Sequence, residues 1–292
     1  MAMNDKISDY ITFPKTFENY MWYKPILVFI VGFIIALILV VLIAAVFYLT
    51  LGFDFVISVL GGGFEALNSP FAILFVDLMV IVFIPSLYLA SKVVKDRPFS
   101  SYSSSRGGWN FKLYFKALVI PLILYIIYMG VDAAIAGTKG TSHLSIAFLA
   151  VILISVPIQS IAEEYVFRGF LMQTFGSWFK IPALAIVLQA VIFALLHGYN
   201  GIGLFETLVM GLGYGFFAWK TNGIEISSAI HTANNFSVGL FVMLGLKTST
   251  SSPQLLDVAV AIAFLIILFI IMYCVGRKTD WFGEIPENSQ NI

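Results

Sequence analysis

Eight apolar runs, at about residues 25–51, 71–95, 113–137, 144–163, 181–197, 202–219, 224–246 and 255–276, dominate this chain of 292 residues. Each approaches the roughly 20 residues that a helix needs to cross the hydrocarbon of a bilayer. In lipid the backbone finds no water to bond, so each crossing segment must close its hydrogen bonds within itself as a helix. A transmembrane β-barrel would instead show alternating stretches of about ten residues, and the sequence contains none. The predicted fold class is therefore all-α: a polytopic membrane protein, a bundle of about eight transmembrane helices. Only 11% of residues are charged, against about 25% in a soluble domain. The formal net charge is zero, so overall charge implies no nucleic-acid partner.

Lysines and arginines orient the bundle. With the N-terminus inside, fourteen of the sixteen face the cytoplasm, from Lys6, Lys15 and Lys24 to Arg277 and Lys278, and only Lys139 and Lys247 lie outside. That bias places both termini in the cytoplasm. Residues 1–24 read as an interfacial N-terminal segment, 25–276 as the membrane domain with a core at about 144–245, and 277–292 as a cytoplasmic tail. A bacterial plasma membrane is the expected location. The Ser/Gly-rich loop 96–111 is predicted to be flexible. Gly211, Gly213 and Gly215, with Ala218, are predicted to form a close-packing helix face. The single cysteine, Cys274, can form no internal disulfide.

The stretch Ser160-Ile-Ala-Glu-Glu-Tyr-Val-Phe-Arg-Gly169 sets three charges at the end of the fourth run. One charged side chain in hydrocarbon costs about 2.5–3.5 kcal/mol on insertion scales, so such residues are functional candidates. Glu164 and Arg168, four apart, share a face and can pair as framework. Glu163 lies about 100° round the helix, on a stripe with Gln159, Ser160 and Phe167, and is read as the working carboxylate. Phe193 and His197 share a face with Gln189 on the fifth run, and His231 and Asn235 share one with Ser227 on the seventh. His143 falls in an outer loop. If the fourth and fifth runs form a hairpin turning near 176–182, Glu163 and His197 come level. His231 lies only about 12 Å past its own turn, against about 25 Å for His197. The three meet only if the hairpin protrudes by about 13 Å. That predicts 165–180 at the cytoplasmic interface and 198–203 as an irregular, protein-buried connection.

Glu163-Glu164-x-x-x-Arg168, Phe193-x-x-x-His197 and His231-x-x-x-Asn235, in that order on successive helices, resemble the three motifs of the CPBP family. These are the CAAX-type prenyl-protein endopeptidases and bacteriocin-processing enzymes, also called the Abi family. The resemblance covers about residues 144–245. It implies an eight-helix bundle with a membrane-embedded site open to the cytoplasm, and hydrolysis of a peptide bond in a membrane-associated peptide or protein. Carried onto this chain, Glu163 would be the general base and His197 would help hold the attacking water. His231 and Asn235 would stabilise the oxyanion or complete the water site, where a low dielectric makes each donor count. Glu164 and Arg168 would set the position of Glu163. The cofactor is open between zinc held by Glu163, His197 and His231, with water in the fourth position, and no metal. The bilayer is the other partner; oligomeric state is not specified. The competing class is a catalytically inactive membrane scaffold or immunity protein, which has no need of all three motifs.

Overall fold

A computed structural model describes residues 9–62, 66–137, 140–199, 201–247, 253–279 and 281. Among them the chain forms α1 Lys24–Leu51, α2 Phe53–Gly62, α3 Pro70–Ile81, α4 Phe83–Val94, α5 Ser100–Ser103 and α6 Phe111–Ala136. There follow α7 Ile146–Glu164, α8 Gln173–Phe179, α9 Pro182–Leu196, α10 Gly203–Lys220, α11 Glu225–Met243 and α12 Leu255–Lys278. A π-helical stretch, Tyr165–Met172, carries α7 into α8 without a break. No strand occurs among the described residues; one isolated antiparallel bridge joins Ser104 to Gly223.

All eight apolar runs are helical. The second divides into α3 and α4 because Pro85 has no N–H for the carbonyl of Ile81. Among the described residues five spans are long and apolar enough to cross a membrane: Lys24–Leu51, Pro70–Val94, Phe111–Ile135, Ile146–Phe179 and Leu255–Lys278. The chain is an integral, multi-pass, all-α membrane protein. The other three apolar runs form α9, α10 and α11, of which α11 is the most deeply buried. α9 has 15 residues, about 22 Å, shorter than the roughly 30 Å of hydrocarbon. α11 packs against α6, α7 and α10, and α10 against α9 and α12. Helices surrounded by protein can carry polar groups, and α11 buries Ser227, Ser228, His231 and Thr232. The outermost helix, α1, packs on α4 and buries only Pro25, Val28, Ala36 and Phe47.

Several connections differ from expectation. The stretch between the first two apolar runs contains α2; Lys6, Lys139 and 282–292 of the predicted tail lie outside the described residues. The loop 96–111 is a packed strap rather than a flexible one. Asp96, Arg97, Ser101, Tyr102, Ser103 and Ser104 are all buried. The serine hydroxyls satisfy backbone carbonyls, Ser101 that of Pro98 (2.6 Å), Ser103 that of Ser100 (2.8 Å) and Ser104 that of Asn222 (3.0 Å). Local side-chain bonds of this kind let a serine-rich segment be ordered without a large apolar face. The segment 165–180, expected at the cytoplasmic interface, packs within the protein through Tyr165, Phe167, Arg168, Gly169, Phe170 and Met172, covered by α5 and the N-terminal segment; this burial does not conflict with that position. Tyr10 donates to the Tyr102 carbonyl (2.6 Å) and Trp178 Nε1 to the Trp22 carbonyl (2.8 Å). In the 198–203 connection, Gly198 and Gly201 are exposed rather than buried; Asn200 is outside the described residues.

Gly169 marks the tightest approach of strap and helix, since a Cβ there would stand 2.6 Å from the Tyr102 carbonyl oxygen. Backbone cannot yield as a side-chain tip does. Gly169→Ala is therefore expected to destabilise the fold by about 1–3 kcal/mol, read as a lower unfolding midpoint in mixed micelles. An unchanged midpoint would contradict this packing.

Candidate active site

Three helix ends bring the predicted residues together. Glu163 lies in the last turn of α7. His197 is the C-cap of α9, where Gly198 with φ +67° stops the helix as glycine commonly does. His231 lies in the second turn of α11. Glu163 Oε2 stands 3.5 Å from His197 Nε2 and 3.7 Å from His231 Nε2. The hairpin geometry holds: its turn is at Lys180, a left-handed residue with φ +59°. The side chain of His197 is 23% exposed, that of Glu163 12% and that of His231 2%, so the cluster is reached from the His197 side. His143 is exposed and bonded through its backbone to Met243, away from the site.

Both imidazoles are committed through Nδ1. His197 Nδ1 is 2.6 Å from the carbonyl of Phe193, an acceptor only, so Nδ1 carries the proton and Nε2 turns to Glu163. The interval in the Phe-x-x-x-His motif thus sets a tautomer as well as a face. His231 Nδ1 is 3.0 Å from Glu164 Oε1, which directs its Nε2 to Glu163 in the same way. Glu163 Oε2 is buried and has no hydrogen-bond partner within the protein.

Glu164 and Arg168 pair as expected, at 2.8 Å, with both side chains fully buried. Glu164 holds His231 rather than Glu163. Arg168 also donates to the Gly211 carbonyl (3.2 Å) and lies 4.3 Å over the Phe193 ring and 5.1 Å over that of Tyr214. The glycine face of α10 makes this approach possible. A Cβ at Gly211 would stand 3.0 Å from that of Ala190, and the Gly211 carbonyl also accepts from Gln189 Nε2 (2.9 Å). Ser227 donates to the Ile224 carbonyl and takes no part.

Asn235 does not bond Glu163 directly. Its Nδ2 donates to Gln159 Oε1 (3.1 Å) and Ser160 Oγ (3.3 Å), and Gln159 Nε2 in turn donates to Glu163 Oε1. Sequence reasoning gave no role to Gln159, although its place one turn before Glu163 was the available signal. It missed Tyr214, whose ring stacks on His231 at 5.1 Å; one aromatic among so many carries no mark. It also missed Asn234, which donates to Asn235 Oδ1 (2.8 Å).

Two imidazole nitrogens and a carboxylate are a donor set that zinc accepts. As the side chains stand, no group of three His, Cys, Asp or Glu among the described residues is arranged to hold a metal ion.

Residues 145–237 match the family model described as Type II CAAX prenyl endopeptidase Rce1-like. The protein YyaK of Bacillus subtilis (strain 168), described as uncharacterized, is 30% identical over 192 residues, 60% of this chain and 63% of that relative's own length. No solved structure matches. The family match contains all three motifs, and the fold brings their side chains to one point; through residues 145–237 the chain is similar to the Rce1-like type II CAAX prenyl endopeptidases, consistent with the CPBP resemblance of its motifs.

Proposed function

We propose that the protein is an intramembrane endopeptidase that hydrolyses a peptide bond of a membrane-associated peptide or protein with water activated by Glu163. The observation that carries the proposal is the convergence of Glu163 Oε2 with the Nε2 atoms of His197 and His231. A water oxygen about 2.8 Å from both Oε2 and the His197 nitrogen is compatible with their 3.5 Å separation. The carboxylate takes one proton as the oxygen attacks the carbonyl carbon, and His197 Nε2 holds the other. Collapse of the tetrahedral intermediate breaks the C–N bond, and the proton on Glu163 passes to the departing amine. His231, fixed by Glu164 through Nδ1, turns its Nε2 to the same carboxylate oxygen and completes the water site as a second acceptor beside His197.

The match to that family model supports a CAAX-type substrate, a peptide with a lipidated C-terminus, and the exposed apolar residues around the bundle suit a substrate that arrives within the membrane. The lysine and arginine bias supports a site reached from the cytoplasm of a bacterial cell. The test uses purified protein in nanodiscs, an internally quenched peptide ending in a farnesylated CAAX sequence, and oxygen-18 water. The expected result is cleavage that places one labelled oxygen on the new carboxylate. A product without label, or equal release by wild type and Glu163→Gln, would overturn the proposal. Zinc content of the same preparation, measured by elemental analysis, decides between the metal-bound and metal-free forms of the mechanism.

A further inference from the structure

We infer that Gln159 is a positioning residue of this site, the link through which Asn235 acts on Glu163. This inference rests on the hydrolase reading above. It departs from a role for Asn235 in contacting the substrate's oxyanion.

The side chains form a directed chain of amides. Asn234 Nδ2 donates to Asn235 Oδ1 at 2.8 Å, and Asn235 Nδ2 to Gln159 Oε1 at 3.1 Å. Gln159 Nε2 then donates to Glu163 Oε1. The polarity is not arbitrary. An ionised carboxylate only accepts, so Gln159 must turn its NH2 to Glu163 and its carbonyl to Asn235. Asn235 must then offer NH2 to Gln159, which leaves its own carbonyl to Asn234. The acceptor at one end orients every amide behind it, and aligned bonds of this kind polarise one another.

The consequence lies in the two oxygens of Glu163. Gln159 occupies Oε1, while Oε2 is without a protein donor and faces the imidazoles. Without the Gln159 amide the carboxylate could rotate about its terminal torsion, which is broad for glutamate. Both oxygens would then compete for the position beside His197. Gln159 is 8% exposed and Ser160 Oγ braces the pair, donating to the Val156 carbonyl (2.9 Å) and accepting from Asn235. Asn235 therefore reaches the reacting groups through a neighbour on α7, and α11 is tied to α7 at the level of the base.

The inference is tested by a double-mutant cycle and a spectrum. Gln159→Leu and Asn235→Ala are each expected to lower kcat on the farnesylated peptide by about 10- to 100-fold, the cost of misplacing a reacting group. KM should stay within about twofold, since no substrate contact is lost. The double variant should be no slower than the worse single variant within about threefold, because coupled residues do not add. Effects that multiply would show that Asn235 works independently of Gln159 and would overturn the link.

The spectrum needs no activity. The chain has three histidines, so nitrogen-15 histidine labelling resolves His197 and His231 with His143 as an internal control. Gln159→Leu should move the Nε2 resonances of His197 and His231 and leave those of His143 in place. Unmoved resonances would overturn the inference while leaving the hydrolase reading intact. If Glu163→Gln cleaves as fast as wild type, the hydrolase reading fails, and the spectrum alone then decides whether Gln159 holds Glu163. Gln159→Met, unbranched and similar in length, replaces Gln159→Leu should the latter not fold.

Discussion

Glu163→Gln is expected to lower kcat on the farnesylated peptide by about 10²- to 10⁴-fold, the contribution of a positioned general base. The substitution exchanges one carboxylate oxygen for NH2 at nearly constant volume. The folded bundle should persist, and KM should change little. The loss is chemical, since an amide cannot accept a proton from water at neutral pH. An NH2 directed at His197 Nε2 or His231 Nε2 would, in addition, occupy the lone pairs now facing Glu163. The measurement is steady-state cleavage with unfolding in mixed micelles as the control for folding. A rate equal to wild type would remove Glu163 as the base. A rate lost together with folding would call for Glu163→Asp, which keeps the charge and withdraws it by one methylene.

The second large effect concerns stability. Arg168→Met should destabilise the folded protein by about 3–5 kcal/mol, the usual result of removing one partner of a buried ion pair. The Glu164 carboxylate would remain fully buried with His231 Nδ1 as its remaining partner. The Gly211 carbonyl would lose one of its two side-chain donors, and the Phe193 and Tyr214 rings their cation. Glu164→Gln combined with Arg168→Met removes both charges and should recover a measurable part of the loss, since an uncompensated charge is the main cost. Unfolding midpoints of the two proteins make the comparison. A double variant less stable than Arg168→Met alone would mean that His231 and the rings, rather than the ion pair, dominate the site's stability.

Much of the site was legible because its motifs carry helical spacing. Glu164 and Arg168 four apart, Phe193 and His197 four apart, and His231 and Asn235 four apart each declare a shared face, and the structure pairs or aligns each of them. The hairpin turn near Lys180 followed from Gly176 and Pro182, which bracket a short break between two apolar runs. What could not be read was which residues bond across helices. Glu164 was assigned to Glu163, its neighbour in the chain, yet it holds His231, 67 residues away. Asn235 looked like a group aimed at substrate, and its amide is instead directed at Gln159. The strap 96–111 looked loose because serine and glycine are common in flexible loops. Its hydroxyls turned out to be spent on backbone carbonyls, a use that composition does not distinguish from solvation.

Read alone, the sequence determines the solvent this protein folds in and the helices that solvent allows. Long apolar runs in lipid must satisfy their backbone internally, and that requirement is local to each run. The sequence also determines which side chains share a helix face, because 3.6 residues per turn is a property of the backbone. Only the tertiary structure decides which faces meet. Glu163, His197 and His231 sit on α7, α9 and α11, whose relative depth depends on the packing of these helices and α10 against one another. The direction of each hydrogen bond among them depends on neighbours that no spacing rule identifies.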